Sequence, residues 1–377
     1  MDAAEREGLR PKGNIPNLRF PEFQEEWNSF LINDVCSEFK SGKNIKADSI
    51  SESGEYPVYG GNGLRGYTSS YNHEGSYVLI GRQGALCGNV RSVYGKTYIT
   101  EHAIAVAGNE KSNTNFLHYL FLKMNLGQYS DQSAQPGLAV NKLLKLKVAL
   151  PIISEQTKIA KLLSLLDERI ATQNKIIEDL KKLKCAIIEK VYSEIQGKEY
   201  SYGQLFDVVN ERNKQMEYYN ILSASQEKGM VNRDDLNLDI QFERSNINTY
   251  KIIRKGDYVI HLRSFQGGFA FSDKLGVCSP AYTILRPNSI LEYGYLSNYF
   301  TSQRFIKSLV LVTYGIRDGR SINVDEWLSM KITIPSKEHQ QYIVKMIRSF
   351  ERKIENEEAY ATQLSIQKQY LLRQMFI

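Results

Sequence analysis

The 377-residue sequence has no run approaching the ~18–20 consecutive apolar residues that a membrane span needs. Cysteine is scarce. Cys36, Cys87, Cys185 and Cys278 are scattered, form no CxxC pair, and read as free thiols in a chain without a secretion signal. The five histidines are dispersed, and none pairs with another at ligand spacing on a helix. There is no GxSxG nucleophile elbow, no HExxH, and no Asn-Pro-Pro-aromatic run of the kind an amino-methyltransferase uses to grip a flipped base. Gly95-Lys96-Thr97 looks like the end of a phosphate-binding loop, but Val90 stands where that motif needs glycine. Isolated nuclease carboxylates leave no such signature, and the acidic residues on the helices read as solvated faces. The expectation is a protein without a catalytic site or a metal of its own.

The segment Met1–Gly13 is polar, carries both charge signs and lacks the apolar core of a signal peptide. Residues 1–17 read as a flexible leader, and a cytoplasmic protein is expected. A hydrophobic fraction of 42% and a charged fraction of 24% are those of an ordinary soluble globular protein. The net charge of +6 is compatible with a nucleic-acid partner without requiring one. The 24 tyrosines, mixed with Arg, Lys, Asn, Gln and Gly, suit wet contacts with phosphates and bases, and equally suit the surfaces of sheets.

The chain repeats itself. Gly137-Leu138-Ala139-Val140-Asn141 matches Ser321-Ile322-Asn323-Val324-Asp325, and the same offset continues without a gap to the C-terminus. It places Leu150-Pro151 on Ile334-Pro335 and Gln156 on Gln340. Apolar residues then recur at steps of three and four or their sums: Ile159, Leu163, Leu166, Ile170, Ile177, Leu180 and Ile187, ending at Val191. The second copy has Ile343, Ile347, Phe350, Ile354, Ala361, Leu364, Leu371 and Met375. This is the seam of a long helix with a heptad-like repeat. Pro151 and Pro335 stand just ahead of the helices, with Ser154 and Ser336 as caps. Polar residues interrupt both seams at matching places, Gln173 with Glu357 and Lys184 with Lys368. They either fix register and partner or are merely tolerated. Two such helices most simply pair with each other, antiparallel if a two-fold axis relates the halves.

The globular parts match more faintly. Gly75-Ser76-Tyr77-Val78 resembles Gly256-Asp257-Tyr258-Val259, and Glu101-His102-Ala103-Ile104 corresponds to Ser279-Pro280-Ala281-Tyr282. Short β-rich runs (Tyr77–Ile80, Ile104–Val106, Tyr258–Ile260, Tyr282–Leu285) alternate with Gly, Asn and Ser turns, and a helical stretch follows in each half, about Asn115–Asn125 and Tyr293–Ser308. The fold class is α+β. Two globular units, residues 18–150 and 198–334, stand in a pseudo-two-fold arrangement. Long helices over 151–197 and 335–377 separate them and pair as an antiparallel coiled coil.

Three kinds of loop carry the candidate binding chemistry. Tyr59–Tyr67, with four glycines, reads as a loop that is neither helix nor regular strand, from which Asn62 and Arg65 reach phosphates or base edges. Gly81–Arg91 follows a strand and offers Arg82, Gln83, Asn89 and Arg91; its counterpart offers Arg263, Ser264 and Gln266. Arginine and glutamine make paired hydrogen bonds to guanine and adenine in the major groove. The third is the stretch before each helix, with Gln135 in the first copy and Tyr314, Arg317 and Arg320 in the second. Loops that share position and differ in residues suit two modules reading different sequences.

Together these features resemble the DNA sequence-specificity subunit of type I restriction–modification enzymes, from about Leu18 to Ile377. The marks are Pro16-Asn17-Leu18-Arg19-Phe20-Pro21-Glu22-Phe23, Trp27 with Leu31 and Val35, Leu150-Pro151-Ile152 with Glu155-Gln156-Ile159, and Leu165-Leu166-Asp167 with Ile170. The second copy echoes them in Ile334-Pro335, Gln340-Ile343 and Ile354, departing at His339 for Glu155 and Glu351 for Asp167. The resemblance implies two target recognition domains, each reading half of a bipartite site on double-stranded DNA. It implies helices that set the spacer and dock two modification subunits, with two restriction subunits able to join. S-adenosylmethionine would sit on the modification partner, ATP and Mg on the restriction partner, and no cofactor on this chain. Alternatives are an orphan specificity subunit in a methylation-only complex, or a coiled-coil scaffold without sequence readout. A self-sufficient restriction enzyme is disfavoured by the missing methyltransferase motifs.

Overall fold

The computed structural model describes residues 13–131, 136–225, 228–236, 244–261, 268–314 and 321–377. The chain divides into two compact units, residues 1–174 with 359–377, and residues 175–358. Each unit therefore holds one globular part and a portion of both long helices.

In the first unit a ribbon of β1 (Asn28–Leu31) against β8 (Lys147–Leu150) stands beside a six-stranded sheet. The sheet contains β2 (Cys36–Ser41), β3 (Tyr56–Gly60), β4 (Gly63–Thr68), β5 (His73–Gly81), β6 (Val90–Ile99) and β7 (Ala103–Gly108), in the order β2-β7-β5-β6-β3-β4. Alternation along β5 sends Val78 and Ile80 into the main core and Leu79 to the opposite face with Val93, Ile99 and Ala105. Helix α1 (Ile32–Val35) links the ribbon to the sheet. Helix α2 (Thr114–Met124) is capped by Asn113, whose side chain accepts from the amides of Asn115 and Phe116. It packs Phe116, Leu117, Leu120 and Phe121 onto the sheet. Helix α3 (Val140–Leu143) leads into β8, and then α4 (Ile153–Ser193) begins.

The second unit repeats the plan. The ribbon is β9 (Lys198–Ser201) with β20 (Lys331–Ile334). The sheet runs β10 (Phe206–Val209), β17 (Thr283–Pro287), β14 (Tyr258–Ile260), β15 (Phe269–Phe271), the same order as β2-β7-β5-β6. Small ribbons β11 (Leu222–Ser225) with β12 (Gly229–Asn232) and β13 (Lys251–Ile253) with β16 (Gly276–Cys278) are added to it. Helix α5 (Gln303–Ser308), the pair β18 (Thr313–Tyr314) with β19 (Ser321–Ile322), α6 (Val324–Ser329) and α7 (Lys337–Gln374) complete the unit. Its core is aromatic: Tyr202 stacks on Trp327 at 4.3 Å, and Phe269, Phe300 and Phe305 pack around them.

Buried glutamines explain the strongest sequence match. Gln156, in the first turn of α4, accepts from the Asn113 amide (2.8 Å) and donates to the carbonyls of Lys111 (2.9 Å) and Pro151 (2.8 Å). Gln340 in α7 accepts from the Glu292 amide (2.7 Å) and donates to those of Ile290 (3.1 Å) and Pro335 (3.0 Å). One side chain thus ties each helix start to its globular part and satisfies backbone groups that water no longer reaches.

Within each unit the two helix portions run antiparallel. In the first, Lys368 reaches Asp167 at 2.5 Å and Arg169 donates to the Tyr360 hydroxyl at 3.0 Å. In the second, Lys184 reaches Glu351 at 2.8 Å and Lys181 reaches Glu358 at 2.6 Å. Lys184 and Lys368 are the matching seam lysines, so the same cross-helix ion pair occurs once in each unit. Ile159, Leu163, Ile177, Ile343, Ile347, Ile354 and Leu364 are buried, and Leu166, Ile170, Leu180, Ile187, Phe350 and Leu371 are half-buried.

Three expectations are corrected. Tyr59–Tyr67 is no loop but the bulged hairpin of β3 and β4, with Gly63 at φ 107° and Gly66 at φ 141° accommodating the irregularity. Ser336 caps α7 by accepting from the His339 amide (3.4 Å), whereas α4 starts at Ile153 and leaves Ser154 inside its first turn. The second helical stretch is broken: only Gln303–Ser308 is α-helix, restarted where the Ser302 hydroxyl accepts from Phe305.

Candidate nucleic-acid interface

In the first unit the fold brings the three loop segments to one place. At the tip of the β3–β4 hairpin, Gly61 lies so close to the next segment that a Cβ there would stand 2.7 Å from the His102 carbonyl oxygen and 3.4 Å from the Gly81 Cα. The 81–91 segment closes on itself, with Gly81 donating to the Asn89 carbonyl (2.8 Å) and Gly88 to the Gly81 carbonyl (2.7 Å). Arg82 donates its amide to His102 (2.9 Å) and its carbonyl accepts from Leu138 (2.9 Å), while Gly84 donates to Pro136 (3.0 Å). Hairpin tip, arginine loop and pre-helix segment are therefore stitched together by backbone hydrogen bonds and close packing.

On this base Asn62, Arg65, Gln83 and Arg91 are exposed, and Arg82 and Asn89 half-buried. The Arg91 guanidinium carbon lies 3.0 Å from where a Gly63 Cβ would stand, so it lies across the hairpin. Gln83 Oε1 is 3.2 Å from His102 Nδ1, which holds the amide in place. His102 is a site residue that the sequence does not single out, where it serves only to align the two copies; its position beside Arg82 depends on the turn after β6, which has no local signature.

Ion pairing divides the cations of the first unit. Arg19, Lys40, Lys142, Lys158 and Lys368 each have a carboxylate partner. Among the described residues Arg65, Arg82 and Arg91 have none, as is also true of Lys43 and Lys161 elsewhere in the unit; what sets the three arginines apart is that hairpin tip and arginine loop bring them together. Three guanidinium groups on one face offer planar forks of donors whose geometry matches phosphate or a base edge. Also among the described residues, no group of three or more His, Cys, Asp or Glu could hold a metal ion, and no helix is long and apolar enough to cross a membrane.

In the second unit Tyr314 pairs with Ser321 across β18 and β19. Gln135 of the first unit and Arg263, Ser264, Gln266, Arg317 and Arg320 of the second lie outside the described residues.

The model of the type I restriction modification DNA specificity domain matches the chain twice, over residues 24–182 and 197–365. The chain belongs to that family, and each match takes in one globular part and most of the helix after it. It is 42% identical over 154 residues to the type I restriction enzyme EcoprrI specificity subunit of Escherichia coli, covering 40% of this chain and 38% of the relative. It is 29% identical over 144 residues, 37% of each chain, to a type I restriction enzyme specificity subunit of Haemophilus influenzae. The matched stretches thus span less than two-fifths of the length of these relatives. The fold is that of the S subunit of the type I restriction–modification system from M. genitalium, with a TM-score of 0.64 at 16% identity, over 96% of this chain and 99% of that one.

Proposed function

We propose that this chain is the non-catalytic DNA-reading subunit of a type I restriction–modification complex. Each globular domain reads one half of an asymmetric bipartite site. The paired helices set the unread spacer and dock two modification subunits, which carry S-adenosylmethionine and methylate adenine. Restriction subunits carrying ATP and Mg would join them to cut unmodified DNA in the cytoplasm. The observation that carries this reading is the face of the first unit, where three arginines without a carboxylate partner stand beside Asn62 and Gln83. Equivalent helix starts, each tied by its own glutamine, offer like docking surfaces to two copies of one partner, while unlike loops read unlike half-sites.

The test is adenine methylation mapped by long-read sequencing in cells carrying the chain with its cognate modification subunit, and again without the chain. A two-part motif with a fixed gap that vanishes with the chain is expected. Its absence from cells in which the complex assembles would overturn the reading in favour of a scaffold. For the assembled complex, alanine at Arg65, Arg82 and Arg91 should lower the slope of log affinity against log salt by about one for each phosphate no longer neutralised.

A further inference from the structure

Val310 and Leu311 are the two most exposed large apolar side chains among the described residues, at 69% and 77%. They form the middle of the 3-10 turn Leu309–Val312, whose ends, Leu309 and Val312, are each 4% exposed in the aromatic core. The Asn323 amide donates to the Val312 carbonyl at 3.0 Å, and Thr313 pairs with Ile322 immediately afterwards. The turn is anchored at both ends and presents two branched aliphatic side chains outward. One exposed aliphatic residue is ordinary, and an adjacent pair held outward on a fixed turn is the most apolar protrusion among the described residues of this unit.

The first unit shows what such a turn adjoins. Leu126–Tyr129 occupies the same place in the element order and starts on a buried leucine as well. It abuts the arginine loop, since a Cβ on Gly88 would stand 2.2 Å from the Gly127 nitrogen. The segment that follows it reaches Arg82 through the Gly84–Pro136 and Leu138–Arg82 hydrogen bonds. Where the first unit has Gly127 and Gln128, the second has Val310 and Leu311. The turn at this place in the element order thus carries Gly127 and Gln128 in one unit and two protruding aliphatic side chains in the other.

We propose that Val310 and Leu311 form a wedge that presses into the base stack of the half-site read by the second unit, easing its target adenine toward the modification partner. This rests on the function proposed above. A base that is to be modified must leave the duplex, and the cost lies in unstacking it. Apolar side chains inserted at a base step occupy the opened space and hold the distortion. Two side chains alone cover a small fraction of the roughly 800 Å² per partner that a stable protein–protein contact takes, whereas a single base step is small enough for them to fill.

The experiment uses the full chain in its assembled modification complex, with Val310→Ser and Leu311→Ser combined, on duplexes carrying both half-sites. Both residues are exposed, so the variant should keep the wild-type unfolding temperature. Methylation at one half-site is expected to fall by about tenfold or more while the other is unchanged, because only one unit carries the wedge. Placing the target adenine of the affected half-site in a mismatch should restore most of that loss, since a mispaired base is already cheap to unstack. Equal methylation of both half-sites by the variant, or a loss that the mismatch leaves untouched, would overturn the wedge. Failure of the variant chain to bind its modification subunits would overturn it too and make the pair a protein contact. If the wild-type complex methylates no bipartite site, the function and the wedge fail together.

Discussion

In the first unit Arg19 donates from Nε to Oε1 and from Nη2 to Oε2 of Glu155, both at 2.7 Å, and the Glu155 side chain has no solvent exposure at the start of α4. In the second unit the matching position is His339, exposed and without that brace. The brace belongs to a longer arrangement. The Leu18 amide donates to the Gln374 carbonyl (2.9 Å), Lys158 lies over the Phe20 ring, and Trp27 packs edge-on against Phe116 and Phe376. In the second unit the chain runs from the end of α4 through residues 194–197 into β9, so covalent continuity does what the N-terminal segment does in the first. What the two units share is the glutamine tie; what differs is how the neighbouring strand is held to the helix. The tie is thus the part the repeat requires, and the brace a local solution at the chain's N-terminal side.

The largest expected effect breaks this comparison on one side only. Arg19→Ala leaves Glu155 charged and buried without a partner, a situation that costs about 3–5 kcal/mol. Hydrogen exchange should show lost protection around β1, β8 and the start of α4, with β9 and β20 unchanged. Equal loss in both units would mean that the brace is shared after all.

His118 should also make the first unit sensitive to acid. Burial, reinforced by Lys368, pushes His118 down to about 4. The unfolded chain then binds a proton between pH 6.5 and 4 that the folded one refuses, so stability falls as pH drops through that window. The loss reaches no more than about 3 kcal/mol at its acid end. His118→Gln should flatten the pH profile of the unfolding temperature over that range, and a profile equally steep in the variant would sink the assignment. Next in size, Gln156→Leu and Gln340→Leu should each cost about 2 kcal/mol, because either strands one amide and two carbonyls. Similar losses in calorimetry from the two variants would establish the ties as equivalent, and a neutral variant on either side would break the symmetry.

The repeat and the long helices are legible in the sequence because their physics is periodic: apolar steps of three and four, a proline ahead of each start, and a glutamine five residues on. The order of the sheets is not, since Val78, Ile104 and Ile284 are buried strand residues whose partners lie far along the chain, and nothing local states which strand pairs with which. The hairpin at Tyr59–Tyr67 reads as a loop because of its glycines, while the bulge that they permit lies in the β3–β4 pairing, which no local pattern announces. Arg65, Arg82 and Arg91 stand out by residue type. Their gathering onto one face depends on backbone bonds such as Arg82 to His102, which no spacing in the sequence announces. Glu351 in place of Asp167 looks like a departure from the repeat, yet it keeps a carboxylate opposite a seam lysine.

That last pair gives the smallest effect and the finest comparison. Lys184 with Glu351 and Lys368 with Asp167 are both partly exposed, with the lysines at 24% and 22% and the acids at 36% and 35%. Such pairs are worth about 0–1 kcal/mol after screening. They are not equal in surroundings, because Asp167 also accepts the Tyr119 hydroxyl at 2.9 Å, and Lys368 lies 5.8 Å from the Tyr119 ring centre. Lys→Met at either position keeps the packing of the stem and removes the charge. Double-mutant cycles with Glu351→Gln and Asp167→Asn then isolate the pairwise energy. The coupling should be larger for Lys368 with Asp167 than for Lys184 with Glu351, and both should shrink in high salt. Coupling near zero in both cycles would leave the seam lysines merely tolerated. A measurable coupling in both would make the repeated ion pair part of what selects the antiparallel register.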